Sequence, residues 1–333
     1  MKKYFILIRP YGMLFLGFTP VFTAIANGKF SFTHLSILFI IGLLMHIFTF
    51  VQNDYYDVKI DSKSEYVSNR PFVTGEISSK KVITIFLLSF ISSIVLCILF
   101  VFTIYSFIML ILSFLFISLY NKYSKQFSGM EYILSLGVFS FGLFGALTVS
   151  NNITNFALIV STFGFLQWLF SVGISANLKD VKFDSKQNIK TTPIIFGVKV
   201  VDNKLKIPSI FKIYAFSIKI IHILILTLLY IYEYTHLYIY KLPIVGILFI
   251  IISIILLILT EKILTTQLIK RDKILIYIGL QEGLALLLLP ITLMQYLIEN
   301  INLIPTMIII LLLILWPIFC FRTLFGKKMI PLE

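Results

Sequence analysis

Apolar runs of 18 residues or more recur along this chain, joined by short polar stretches. About 20 apolar residues in helical form cross a hydrocarbon layer of about 30 Å. The runs predict helices at about 11–28, 34–56, 81–103, 105–122, 130–149, 153–178, 213–232, 242–262, 274–298 and 303–321. Gln281, Glu282 and Pro290 interrupt the ninth, so the expected count is nine to ten. Almost nothing separates the third and fourth runs, which predicts a tight hairpin. Two polar joints are longer, from Asp57 to Lys80 and from Asp180 to about Lys212. Gly137, Gly142 and Gly145 are spaced for close helix approach. The segments lack the alternation of a membrane β-barrel. The expectation is an all-α polytopic membrane protein: one domain over residues 1–333, a bundle of nine to ten transmembrane helices.

The start of the chain imitates a cleavable signal, with Lys2-Lys3 before an apolar stretch and Ala24-Ile25-Ala26 after it. Arg9, Pro10, Gly12 and Pro20 break what would be its hydrophobic centre, so residues 11–28 read as a first span instead.

Composition agrees with the pattern. Hydrophobic residues make up 59% of the chain and charged residues 13%, about half the charge of a soluble domain. The net charge of +13 would suit nucleic acid, but its placement argues against that partner. With a cytoplasmic N-terminus, 25 of the 28 basic residues fall in cytoplasmic segments, as the positive-inside rule expects. Both long joints then face the cytoplasm. Cys97 and Cys320 lie in separate apolar runs and form no disulfide framework or thiolate metal site.

The candidate chemistry stands where two of the runs end. Asp54, Asp57 and Asp61 are spaced by three and four residues, which puts them on one helical face, the outer two almost superimposed. About 120 residues later Asn177, Asp180 and Asp184 repeat the spacing. Five of the chain's fifteen acids sit in these two windows. Two such clusters facing each other at a membrane surface would hold Mg²⁺, which takes oxygen ligands and completes its shell with waters and substrate phosphates. Arg70, Lys122, Lys125 and Lys190 lie on the same joints and suit phosphate: arginine binds it bidentately, lysine as a point charge. The plainer alternative is a set of solvated loop acids neutralised by lysines. Lys59 lies off the acidic face and neutralises it poorly.

These residues resemble the UbiA superfamily of intramembrane prenyltransferases. Asn53-Asp54-x-x-Asp57-x-x-x-Asp61 matches its first motif. Asn177-x-x-Asp180-x-x-x-Asp184, followed by Lys190-Thr191-Thr192-Pro193 and Gly197, looks like the second. Arg9-Pro10-x-Gly12 with Pro20 resembles the opening helix, Asn69-Arg70-Pro71 with Gly75 the first cytoplasmic loop, and Tyr120 with Lys125 a tyrosine–lysine element after the fourth helix. The likeness covers about residues 5–200; the helices over about 213–321 match only as apolar runs. Asn177 stands where many members carry aspartate, and Asn188 where glycine is common.

The resemblance implies Mg²⁺-dependent transfer of an isoprenyl chain from a polyprenyl diphosphate to a small acceptor at the bilayer. Asp54, Asp57, Asp61, Asp180 and Asp184 would be catalytic, and with Asn53 would hold the metal. Arg9, Asn53, Arg70, Tyr120, Lys122, Lys125, Asn177 and Lys190 would bind substrate. The nine-residue offset from Asp61 to Arg70 looks more like the branch acting on aromatic quinone precursors than the archaeal ether-lipid branch. Lipid and sugar-phosphate acceptors stay open. An ion-coupled transporter should instead carry charges at the midplane in broken helices, and the Asp-Gly…Ala-Arg element of the CDP-alcohol phosphotransferases is absent.

Single residues add little. Glu282, inside an apolar run, either orients the acceptor or forms a helix–helix hydrogen bond. Lys219 reads as snorkelling from a helix end. His34 reads as a loop residue and His46 as a packed helix residue, neither with metal-ligand spacing.

Overall fold

In a computed structural model of the chain, residues 2–202, 204–236, 243–266 and 271–326 are described. Helices dominate because hydrocarbon offers the backbone no partners, so each apolar segment must satisfy its own N–H and C=O groups. Among the described residues, nine helices are long and apolar enough to cross a membrane. A tenth forms if α1 (Lys2–Ile8) and the stretch Pro10–Ala26 are counted together, since they meet at a bend of 41°. The first span thus begins near Lys2 and is broken at Arg9–Gly12. It is not the straight 11–28 helix of the sequence pattern. Pro10 supplies no N–H and fixes its own φ, which ends α1 there.

The remaining elements follow in order. They are α2 (Met13–Ala26), α3 (Phe32–Asp61), α4 (Ser79–Phe100), α5 (Ile104–Tyr123), α6 (Met130–Leu147) and α7 (Asn155–Phe170). A π-helical turn, Ser171–Ala176, leads into α8 (Asn177–Lys186), then α9 (Thr192–Ile195) and strands β1 (Lys199–Val201) and β2 (Lys204–Lys206). Last come α10 (Ser209–His236), α11 (Pro243–Thr265), α12 (Arg271–Thr292), α13 (Met294–Ile301) and α14 (Leu303–Phe325).

Three boundaries differ from the apolar pattern. Helix α3 continues through Asp61, so Asp57 is helical and not the start of a loop. The expected ninth run splits into α12 and α13 at Leu293, while Pro290 lies within α12. The long joint after Asp180 folds into α8, α9 and a hairpin. In that hairpin Lys199 pairs with Lys206, Val200 with Leu205 and Val201 with Lys204.

The chain forms two compact units: Met1–Ser124 with Leu136–Ser161 and Leu315–Glu333, and Lys125–Ser135 with Thr162–Ile314. Small residues let the helices of the first unit approach. A Cβ on Gly42 would lie 2.3 Å from the Leu16 carbonyl oxygen, and one on Gly145 2.2 Å from that of Pro20. Polar ties complete this unit: the Asn121 amide donates to Thr49 O and Gln52 Oε1, at 3.0 and 2.9 Å, just before the acidic stretch of α3.

In the second unit Phe170, Ile174, Leu178 and Val181 run from α7 through the π turn into α8. They pack with Phe211 and Ala215 of α10 and Ile263 and Leu264 of α11. Val200 and Leu205 of the hairpin lie against the same core, while Lys199, Lys204 and Lys206 are exposed.

Candidate active site

In the first unit α3 carries the leading acids. Asp54 and Asp57 are buried and Asp61 is half-buried. The seven-residue return from Asp54 to Asp61 brings both to one cation. Nη1 of Arg70 lies 3.4 Å from Asp54 Oδ1 and 3.3 Å from Asp61 Oδ2. Asp57 faces differently and accepts at Oδ2 from the Asn53 amide at 2.6 Å.

Arg9 also reaches this cluster, donating from Nη2 to Asp54 Oδ1, with its guanidinium 5.1 Å from the centre of the Phe50 ring. Its backbone is left-handed, φ 50° and ψ 61°, a conformation that costs a non-glycine residue of order 1 kcal/mol. The surroundings fix it. Nε2 of His46 lies 3.0 and 3.1 Å from the carbonyls of Ile8 and Arg9. Trp316 Nε1 donates to Pro10 O at 2.7 Å. Tyr11 stacks on Phe321 at 4.5 Å. The bend at Arg9 thus sets one guanidinium against Asp54. Tyr120 is half-buried near the end of α5. Lys122 is exposed, with its ammonium 5.1 Å from the Tyr123 ring; among the described residues no ion pair joins it to the acids of α3.

In the second unit the π turn widens the helix just before Asn177, a distortion common at functional sites. Its Gly173 makes room for Glu131: a Cβ there would meet Glu131 Cγ at 3.0 Å. Buried Glu131 accepts from the Thr192 hydroxyl, tying the start of α6 to the Thr191-Thr192-Pro193 stretch. Asp180 is flanked by Lys179 Nζ and Arg271 Nη2, each at 3.1 Å, and Arg271 Nη1 donates to Lys179 O at 2.7 Å. The Asp184 side chain is 1% exposed, with Lys125 Nζ 3.8 Å from its Oδ1. Asn177 is half-buried at the first position of α8, and Lys190 is exposed.

Arg9, Arg70 and Lys125 thus lie on carboxylates, while among the described residues Lys122 and Lys190 are not drawn onto them. Arg271 and Glu131 escaped the sequence reading. Glu131 is a lone charge in the first turn of an apolar helix, which is the signal it offered, whereas Arg271 opens α12 beside Asp272 and Lys273 and does not stand out. Lys219 does not snorkel. It is fully buried, its ammonium 3.1 Å from Gln167 Oε1 and 4.0 Å from the Phe170 ring centre, because α7 supplies polar and aromatic partners at its own depth. His34 is helical, not a loop residue, and its Nε2 is 2.9 Å from Thr148 Oγ1.

Among the described residues no three His, Cys, Asp or Glu side chains gather into a metal cage. The donors nevertheless fit a hard divalent cation. They are oxygens alone, and the Arg70 guanidinium stands in for a cation on which Asp54 and Asp61 converge. Mg²⁺ is held by one or two protein carboxylates and finishes its shell with waters and phosphates.

The model of the UbiA prenyltransferase family matches residues 14–271. The chain belongs to that family. It is a prenyltransferase. A 4-hydroxybenzoate octaprenyltransferase of Francisella tularensis subsp. novicida (strain U112) is 27% identical over 212 residues, 60% of this chain and 71% of that protein. A digeranylgeranylglyceryl phosphate synthase of Methanosphaera stadtmanae is 33% identical over 149 residues, 44% of this chain and 52% of that protein. A UbiA homolog from Archaeoglobus fulgidus, solved bound to GPP and Mg²⁺, superposes with a TM-score of 0.59 at 18% identity, over 86% of this chain and 97% of that one. The apo UbiA homolog from Aeropyrum pernix K1 gives 0.62 at 11% identity, over 86% and 98%. These two likenesses establish the fold: a polytopic helical membrane protein of the UbiA type.

Proposed function

We propose that this prenyltransferase moves an isoprenyl chain from a polyprenyl diphosphate to an aromatic quinone precursor, with Mg²⁺, releasing diphosphate. The observation that carries the reading is the convergence of Asp54 and Asp61 on one cationic nitrogen, with a second guanidinium, Arg9, held on Asp54. Asp54 and Asp61 would hold Mg²⁺ in the first motif, assisted by Asn53 and Asp57. Asp180 and Asp184 would do so in the second, with Asn177 beside them. When bound, the ion stabilises the negative charge of the departing diphosphate.

The chain's own cations do the rest. Arg9 and Arg70 exchange carboxylate for phosphate oxygens, for which the guanidinium fork is suited. Lys125 and Arg271 offer the same beside Asp184 and Asp180, and Tyr120, Lys122 and Lys190 are further phosphate contacts. Apolar helix walls keep water from the allylic cation that forms as the C–O bond breaks. The N-terminus and both motifs are cytoplasmic in this reading, on the strength of the lysine distribution.

The aromatic acceptor rests on the 4-hydroxybenzoate octaprenyltransferase likeness. The 33% identity to a glyceryl phosphate prenylating enzyme supports a second reading, transfer to a lipid phosphate. Incubating purified protein and Mg²⁺ with labelled polyprenyl diphosphates, and either 4-hydroxybenzoate or a prenylated glyceryl phosphate, separates the two by product mass. Turnover of the glyceryl phosphate alone overturns the first reading.

A further inference from the structure

A polar cluster lies among membrane-spanning segments of the second unit, where each unpaired polar group is costly. Glu282 Oε2 accepts from the Ser171 hydroxyl at 2.6 Å and from Gln167 Nε2 at 3.0 Å. Gln167 Oε1 in turn accepts from Lys219 at 3.1 Å. The amide is therefore oriented, acid on one side and ammonium on the other, and the two charges balance through it without touching.

The cluster opens at one end. Lys219, His222 and Gln167 are at most 1% exposed, whereas Ser171 and Glu282 are half-buried. Both hydrogen bonds on the carboxylate fall on Oε2, which leaves Oε1 as its remaining acceptor. A second observation stands on the same turn of α12: Gln281 is fully buried, and neither its Oε1 nor its Nε2 has a hydrogen-bond partner.

The charges select the ligand. A carboxylate in front repels the anionic end of a ligand, and the ammonium behind it, with a single acid present, disfavours a metal ion. A neutral hydrogen-bond-donating group of the ligand remains. Glu282 lies eleven residues along α12 from Arg271, about 16 Å at 1.5 Å per residue, and Arg271 pairs with Asp180. That interval accommodates a diphosphate, the reacting allylic carbon and one aromatic ring laid end to end.

We propose that Glu282 Oε1 receives the ring hydroxyl of the acceptor, with Ser171, Gln167 and Lys219 as residues that position it. This deepens the proposed function and rests on its aromatic acceptor. A hydroxyl donating to a carboxylate pushes electron density into the ring carbons beside it, which are the carbons an allylic cation attacks.

The test uses the full chain with a polyprenyl diphosphate and either 4-hydroxybenzoate or 4-methoxybenzoate, whose oxygen cannot donate. Glu282→Leu should raise the KM for 4-hydroxybenzoate at least about tenfold, the worth of a hydrogen bond to a charged group. The KM for the prenyl diphosphate should stay within about twofold. Glu282→Gln, which keeps an acceptor oxygen without the charge, should fall between. With 4-methoxybenzoate the wild type should already show the raised value, and neither variant should add to it. Equal use of the two acceptors by the wild type, or a joint rise in both KM values, overturns the assignment.

If Glu282→Leu does not fold, the same comparison on the wild type and Glu282→Gln decides. If the wild type transfers to no aromatic acceptor, the proposed function fails by itself. Equilibrium binding of the two benzoates to the wild type then reads the site separately, and equal affinity overturns it.

Discussion

Asp54 and Asp180 are the residues at which charge, not packing, is most exposed to test. Each carboxylate is already shared between two cations, Arg9 and Arg70 on the first and Lys179 and Arg271 on the second. Replacing either by asparagine keeps the volume and removes a ligand oxygen's charge. Asp54→Asn and Asp180→Asn should each abolish Mg²⁺-dependent diphosphate release while leaving helix content by circular dichroism unchanged. Retained turnover in both variants would remove the metal assignment. Arg70→Ala should act on binding instead, raising the KM for the prenyl diphosphate about tenfold, since a charge-assisted hydrogen bond is worth about 1.5–3 kcal/mol. At this scale the sequence was most legible where spacing alone decides direction. Residues 54 and 61 share a face in any helix, and one guanidinium indeed meets both. Which cation serves which acid was not legible, because Arg271 reaches Asp180 from 91 residues away and no local pattern encodes that.

The elements follow from hydrophobic run length where one run makes one helix, and depart from it where a special backbone intervenes. The expected spans at 81–103, 105–122 and 130–149 correspond to α4, α5 and α6 because nothing within them breaks the ladder. The bend at Arg9, the π turn before Asn177 and the hairpin after α9 all depend on tertiary partners. His46 and Trp316 hold the first, and the Phe211 core backs the last. The glycines of α6 were readable, and Gly145 meets the backbone of α2 as their spacing suggested. Gly145→Leu should therefore lower the melting temperature sharply, overpacking costing about 1–3 kcal/mol or more where the neighbour is backbone. A melting curve in detergent unchanged from the wild type would show that α2 and α6 do not approach so closely. Trp316→Phe is the subtler probe of the bend. It deletes the hydrogen bond to Pro10 O at a cost of about 1 kcal/mol, and it should weaken prenyl diphosphate binding through Arg9 more than it lowers stability. A change in melting temperature with no change in that KM would separate the bend from the site.

For the whole molecule, the strongest statement available to the sequence is the asymmetry of its basic residues, 25 of 28 falling in segments that a cytoplasmic N-terminus would make cytoplasmic. Lysine and arginine resist translocation, so such bias sets orientation more firmly than any single helix does. The exposed lysines of the β1–β2 hairpin belong to that set: they sit on a polar joint, and their strands turn Val200 and Leu205 inward. The joints after α3 and after α8 should then both be reached from the cytoplasm. Ser68 in the joint after α3 and Ser185 in the last turn of α8 are exposed, while the native thiols of Cys97 and Cys320 are buried in helices. Ser68→Cys and Ser185→Cys should each react with a membrane-impermeant maleimide only when the cytoplasmic face is open, in inverted vesicles and not in intact cells. Labelling of either in intact cells would reverse the orientation for that joint. Labelling of the two from opposite faces would leave the first and second acidic motifs unable to serve one diphosphate, and the proposed chemistry would have to be rebuilt on a single motif.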